Sequence, residues 1–227
     1  DGGANWDDVT PPDLAEWTRI DVIEVSPHDP ATAYISATRY KLDDNRPFLY
    51  KTNDYGATWT KITDGIPDDD FTRVIREDSV RRGLLYAGTE LGIYVSFDDG
   101  GSWTSLRGSL PVVPVTDLAV KGDELVAATN GRSFWILGDL PLLRQVAQDA
   151  SGSGLRLFEP SPTYRVDLAP TAEPTPGKTF LPGVTFYETR LPSGERERRM
   201  LDAGANPPDG VVVHYLLDEA TKEDVTL

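Results

Sequence analysis

The sequence predicts an all-β chain, and three observations predict it. The pattern Asp-x-Gly-x-(Thr/Ser/Asn)-Trp occurs at residues 1–6, 54–59 and 98–103. Its aspartates, Asp1, Asp54 and Asp98, are 53 and 44 residues apart, and periods of about 40–50 residues holding several short strands each suggest four-stranded propeller blades. Between the copies lie short β-branched and aromatic runs, separated by clusters of Gly, Pro, Asn and Asp.

Each run is assigned in order. In the first full repeat, residues 19–26, 33–38, 48–52 and 58–63 read as strands, with the Pro-rich turn at 26–30 joining the first two. In the second, the strands fall at 72–76, 84–88, 93–96 and 102–106. In the third they fall at 115–120, 125–129 and 133–137, and there the pattern decays: Asp139 keeps its place, but the Gly and Trp are gone. Residues 140–150 have helical spacing, with Leu142, Leu143 and Val146 on one side, and residues 155–166 read as a returning edge strand. Residues 167–208 are rich in proline and carry the charge run Glu195 to Arg199; a linker with room for a hairpin near 179–190, and a solvated loop for the charges, is the plain reading. Residues 211–217 and 224–227 look like the first hairpin of an immunoglobulin- or fibronectin-like sandwich, which needs about seven strands. The predicted fold is thus all-β: part of a propeller of about three four-stranded blades (1–160), a Pro-rich linker (161–205) and the start of a β-sandwich (206–227).

Within each copy the chemistry is that of a turn. The Asp accepts hydrogen bonds from its own turn, the Gly adopts a conformation a side chain resists, and the Trp is an apolar anchor. The residues Asp1, Gly3, Trp6, Asp54, Gly56, Trp59, Asp98, Gly100 and Trp103 are therefore assigned structural roles, with Trp59 and Trp103 expected at equivalent buried sites. The motif resembles the Asp-box, or BNR, repeat of sialidase-like, sortilin-like and xyloglucanase-like β-propellers. The order of blades, helix and sandwich resembles the C-terminal part of large bacterial glycosyl hydrolase-like BNR-repeat proteins. The resemblance covers residues 1–160 well and 206–227 loosely. It implies that the remaining blades come from a missing chain segment or another chain, since residue 1 falls inside a repeat.

Composition bounds the partners. With 22 Lys and Arg against 37 Asp and Glu, the formal net charge is −15. Nucleic acid is an unfavourable partner, since phosphate recognition needs a basic face. The plain reading of the charge is solubility; a salt-adapted setting is the alternative. There is no cysteine, which removes disulfides, thiolate nucleophiles and thiolate metal sites. No stretch approaches the roughly 20 apolar residues of a spanning helix. No cofactor or metal is expected; one carboxylate per turn falls short of the roughly six to eight oxygens that calcium wants. The two histidines, His28 and His214, lie in different predicted parts and suggest no triad.

The binding face is expected on the loops opposite the repeated turns. Those loops carry Arg39, Tyr40, Asp43, Asp44, Arg46, Asp68, Asp69, Asp70, Arg73, Glu90 and Arg132, a polar rim suited to a sugar or peptide. No catalytic set is assigned. The resemblance implies an extracytoplasmic, non-catalytic propeller that binds protein, peptide or glycan in the sortilin manner. A glycoside hydrolase is the alternative: an arginine cluster from Arg39, Arg73 and Arg132 for the sialidase type, or paired carboxylates roughly 5–9.5 Å apart for the xyloglucanase type. A structural part of a surface assembly is the third reading.

Overall fold

A computed structural model of the chain describes residues 2–106, 108–148, 155–163, 186–200, 204 and 210–217. The chain divides into two compact units, Asp1–Gln148 and Asp149–Leu227.

The first unit is a series of antiparallel meanders. Strands β1 (Arg19–Val25), β2 (Ala33–Arg39), β3 (Asp44–Thr52) and β4 (Thr60–Lys61) pair in that order. Strands β5 (Thr72–Glu77), β6 (Leu85–Thr89), β7 (Ile93–Ser96) and β8 (Thr104–Ser105) repeat the arrangement. Strands β9 (Val115–Lys121), β10 (Glu124–Thr129) and β11 (Phe134–Leu137) form a third sheet of three strands. These sheets stack face to face as propeller blades. Alternation explains the stacking: successive side chains of a strand point to opposite faces, and both faces of β2 and β6 are buried, largely by apolar and small residues. Tyr34, Leu49, Ile75, Leu85, Ala87 and Trp103 fill the layer between sheets one and two, whereas Val74, Tyr86, Val95, Leu118 and Leu125 fill the layer between sheets two and three.

Arg76 of β5 ties the first strands of all three sheets together. It reaches Glu24 at 3.2 Å, Asp117 at 2.8 Å and the Leu118 carbonyl at 2.8 Å, at the side of a cleft of about 490 Å³.

The repeated turns have matching hydrogen bonds. Thr52 and Ser96 hydroxyls bond Asp54 and Asp98 at 2.8 Å each and accept from the Gly56 and Gly100 N–H groups at 2.9 Å. The carboxylates accept from the Thr58 and Ser102 N–H groups at 2.8 Å. Each Trp then reaches into the preceding repeat: the Trp103 indole N–H donates to the Ile62 carbonyl at 2.8 Å, and that of Trp59 to the Val9 carbonyl at 2.7 Å. The two tryptophans are equivalent in bonding but not in burial. Trp103 is buried and Trp59 only half-buried, because a whole sheet covers the former and the thin segment carrying Val9 and Leu14 meets the latter. Trp6, also expected to anchor its turn, is 87% exposed and folds back onto the Gly3 carbonyl at 2.9 Å; Asp1 lies outside the described residues.

Helix α1 (Leu140–Gln148) follows the third sheet. Its inward side is Leu140, Leu143 and Arg144, not the expected stripe of Leu142, Leu143 and Val146. Arg144 faces inward because buried Asp78 awaits it, with Nε 3.0 Å from Asp78 Oδ1 and Nη2 3.1 Å from Oδ2; Nη1 lies 2.7 Å from Asp123.

In the second unit, β12 (Arg156–Leu157) pairs with β15 (Tyr215–Leu216), and β13 (Phe186–Arg190) with β14 (Arg196–Met200). The charge run expected to be a loop is mostly strand β14, and the hairpin lies downstream of the expected position. The backbone ladder needs no apolar side chains, and Gly194, at φ 88°, makes the turn. Of the strand expected over 155–166, the described residues 155–163 hold only Arg156–Leu157 as strand. The strand of the expected sandwich at 224–227 lies outside the described residues. Among the described residues no helix is long and apolar enough to cross a membrane.

Candidate ligand-binding face

The antiparallel meander sends the repeated turns to one end of the sheets and the β2–β3 and β6–β7 loops to the other. At that second end the chain builds an aromatic step. A single 3-10 turn, Tyr40–Leu42, ends at Asp43, whose left-handed backbone (φ 59°) turns the chain into β3. The Tyr40 ring thereby stacks on Phe71, with centroids 4.9 Å apart and planes 12° from parallel. The Arg73 guanidinium lies 4.9 Å from the Phe71 centroid and 5.8 Å from that of Tyr40. Glu90 holds it there, accepting from Nε at 2.8 Å and Nη2 at 2.5 Å. Glu90 is itself placed by its N–H bond to the Phe71 carbonyl at 3.1 Å.

Asp70, expected on the rim, is buried and works beneath it. It accepts from the Thr89 hydroxyl at 2.9 Å, the Leu91 N–H at 3.0 Å and the Tyr94 hydroxyl at 3.0 Å, fixing the turn that carries Glu90. Burial raises its carboxyl above the ordinary range despite these donors.

A second cluster lies on the same loop. Arg46 grips Asp44 with two parallel bonds of 2.8 Å, and Arg39 Nε approaches the same carboxylate at 3.4 Å. The Arg46 hydrogen bonds hold the Asp44 carboxyl down, at about 2. Arg39 also donates to the Glu16 carbonyl at 2.6 Å and the Thr18 hydroxyl at 3.0 Å. Asp43, Asp69 and Arg132 are exposed. Arg132 makes no ion pair among the described residues; its carbonyl accepts the Trp135 indole at 3.0 Å. Of the three arginines considered for a substrate carboxylate, Arg39 and Arg73 are each already engaged by a carboxylate of this chain.

Two residues of this face escaped sequence reasoning. Phe71 is the lower ring of the step; its place just before strand β5, directly after the acidic run Asp68 to Asp70, was the available signal. Asp21 of β1 is the other. It pairs with Arg19 at 2.8 Å, its Oδ2 is buried without a hydrogen-bond partner among the described residues, and burial raises its carboxyl although Arg19 and Arg73 pull it down. His28 has a structural contact, 2.8 Å from Nε2 to the Asp78 carbonyl. Among the described residues no group of three or more His, Asp or Glu is placed to hold a metal ion.

No protein-family model matches the chain, and no curated protein matches it. Among solved structures, the Niastella koreensis GH74 enzyme is similar over 53% of this chain and 21% of its own length, at 14% identity and a TM-score of 0.43. The GH74 xyloglucanase from Xanthomonas campestris is similar over 62% of this chain and 25% of its own, at 14% identity and a TM-score of 0.41. YCF48, in a structure bound to D1 peptide, is similar over 53% and 37%, at 19% identity and a TM-score of 0.39. The chain spans well under half the length of each. The stacked meanders themselves, not this overlap, carry the propeller fold.

Proposed function

We propose that these blades are the C-terminal blades of an Asp-box propeller that binds an extended ligand, peptide or glycan, without turning it over. The observation that carries this reading is the Tyr40–Phe71 step with Arg73 fixed upon it. A planar, pre-ordered apolar surface beside a held cation suits a sugar face or a peptide group and costs little ordering on binding. Two rim carboxylates favour binding over hydrolysis. Asp44 is locked in its ionised form by Arg46, and Glu90 is committed to Arg73; a general acid needs a proton to give at working pH. A sortilin-like, extracytoplasmic setting accompanies this reading.

A glycoside hydrolase is the second reading, favoured by one observation: Asp21 keeps a carboxyl raised by burial on the same face.

One experiment separates them. The folded chain is incubated with immobilised polysaccharides, sialosides and extended peptides, and both retention and released sugar are measured. Retention that falls about tenfold in Tyr40→Ala, the scale of one aromatic contact, with an unchanged melting temperature and no sugar release, is the expected result. Sugar release abolished by Asp21→Asn would make the protein a hydrolase.

A further inference from the structure

The chain holds five asparagines, and Asn130 alone is followed by glycine. The pair tips the hairpin between β10 and β11, exposed at the loop end of the third sheet and beyond its broad faces. Thr129 closes the turn, its N–H and hydroxyl donating to the Ser133 carbonyl at 3.1 and 2.7 Å. The Asn130 N–H donates to the Pro114 carbonyl at 2.9 Å. Inside this frame the reactive atoms are unheld. Among the described residues the Asn130 side chain takes part in no hydrogen bond, and the Gly131 N–H has no acceptor. A Cβ on Gly131 would meet nothing within 4 Å.

Other turns of the first unit hold the same groups in place. At Asn53 the side-chain oxygen accepts from the Thr32 hydroxyl at 3.2 Å, and the N–H of the next residue, Asp54, donates to the Thr52 hydroxyl at 3.3 Å. After Asn45 the Arg46 N–H donates to the Asp44 carboxylate at 3.3 Å. The Asp99–Gly100 pair, similar in sequence, is held at both halves. The Asp99 carboxylate accepts from the Tyr34 hydroxyl at 2.9 Å and from Lys51, and the Gly100 N–H donates to the Ser96 hydroxyl at 2.9 Å.

We propose that Asn130 is a site of self-modification, converting with age to aspartate and isoaspartate through attack by its own Gly131 neighbour. The Gly131 nitrogen bonds to Cγ of Asn130 and closes a five-membered imide. The bond from Cγ to the side-chain nitrogen breaks, and that nitrogen leaves as ammonia with the proton of the Gly131 amide. Water then opens the ring. Opening at Cγ gives aspartate; opening at the main-chain carbonyl gives isoaspartate, whose chain runs through Cγ. Glycine favours the step because it has no Cβ to crowd the attacking nitrogen. The products change the loop face in two ways. A carboxylate appears two residues from Arg132, which is exposed and makes no ion pair among the described residues, and it adds to the net charge of −15. Isoaspartate lengthens the backbone by one carbon where Thr129 meets Ser133, which loosens the adjoining pair of Ala128 with Phe134. The hairpin tip thus acts as a timer for this loop, independently of what the loop face binds.

The test ages the full folded chain at neutral and mildly alkaline pH and maps every asparagine by digestion and mass spectrometry. The expected result is release of ammonia and the mass gain of amide replaced by acid at residue 130, about tenfold faster than at Asn45 or Asn53. Both aspartate and isoaspartate should appear, and the rate should rise with pH, because the attacking nitrogen must lose its proton. A Gly131→Ala chain should convert more slowly; the comparison of asparagines within the parent chain needs no variant and stands even where alanine strains the turn. No conversion, conversion at 130 no faster than at Asn45 and Asn53, a rate indifferent to pH, or aspartate without isoaspartate would each overturn the proposal. Ligand retention plays no part in this readout, which keeps its failure distinct from failure of the loop-face reading.

Discussion

Trp103 and Trp59 show how one residue type does unequal work in equal geometry. Both indoles bond a carbonyl three residues past the Trp position of the preceding repeat, and only Trp103 is fully buried. Trp103→Ala should therefore cost about 3–5 kcal/mol, and Trp59→Ala clearly less, as read from urea midpoints. The order of the two costs is the diagnostic; equal losses would mean that the segment around Val9 and Leu14 covers Trp59 as well as a sheet covers Trp103. Gly65 is a sharper case that motif reading passes over. At φ 93°, its added Cβ would lie within van der Waals contact of the Trp103 carbonyl oxygen, a backbone atom that cannot swing aside. The Gly65→Ala chain should lose more stability than the roughly 1 kcal/mol that left-handed backbone alone explains. Asp54 and Asp98, by contrast, were readable as turn residues from their spacing, and their donors are those the pattern supplies.

At the scale of elements, local pattern predicted the strands well and the helix face poorly. All eleven strands of the first unit lie near their expected positions, because β-branched and aromatic runs bounded by turn residues are a signal that neighbours in sequence carry by themselves. Helix α1 turned differently because its orientation is decided by a partner 66 residues away in sequence: Asp78, buried, with its carboxyl held low by Arg144, Arg81 and Val80 donors that outweigh burial. Arg144→Ala leaves that carboxylate buried and short of its cation. The expected loss is about 3–5 kcal/mol, measurable as a fall in thermal midpoint, with less lost on replacing both Asp78 and Arg144 by apolar residues. The aromatic step has the same character. Tyr40 and Arg73 stood in the sequence as loop residues; that they meet over Phe71 depends on a 3-10 turn and the packing of two sheets.

For the whole first unit, the balance of perturbed carboxyls sets the response to acid. Asp44, Asp54, Asp78 and Asp98 all titrate below the ordinary range in the folded chain. The unfolded chain therefore takes up their protons first, so their stabilisation is full above about pH 4 and is lost as pH falls through the folded values. Asp21, Glu24 and Asp70, raised by burial, act in the opposite sense and make the loss shallower. Urea midpoints should fall between about pH 4 and pH 2.5, and an Asp98→Asn chain should show a flatter dependence than the parent. A midpoint constant over that range would mean that the turn hydrogen bonds contribute nothing to folding. The sequence by itself determined the repeat, the strand content, the turn chemistry and the acidic balance, because these follow from neighbours along the chain and from side-chain type. Only the tertiary structure decided which rim residues converge, which tryptophan is covered and where Arg144 points. Those depend on contacts between residues tens of positions apart, where register and stacking, not local propensity, set the distances.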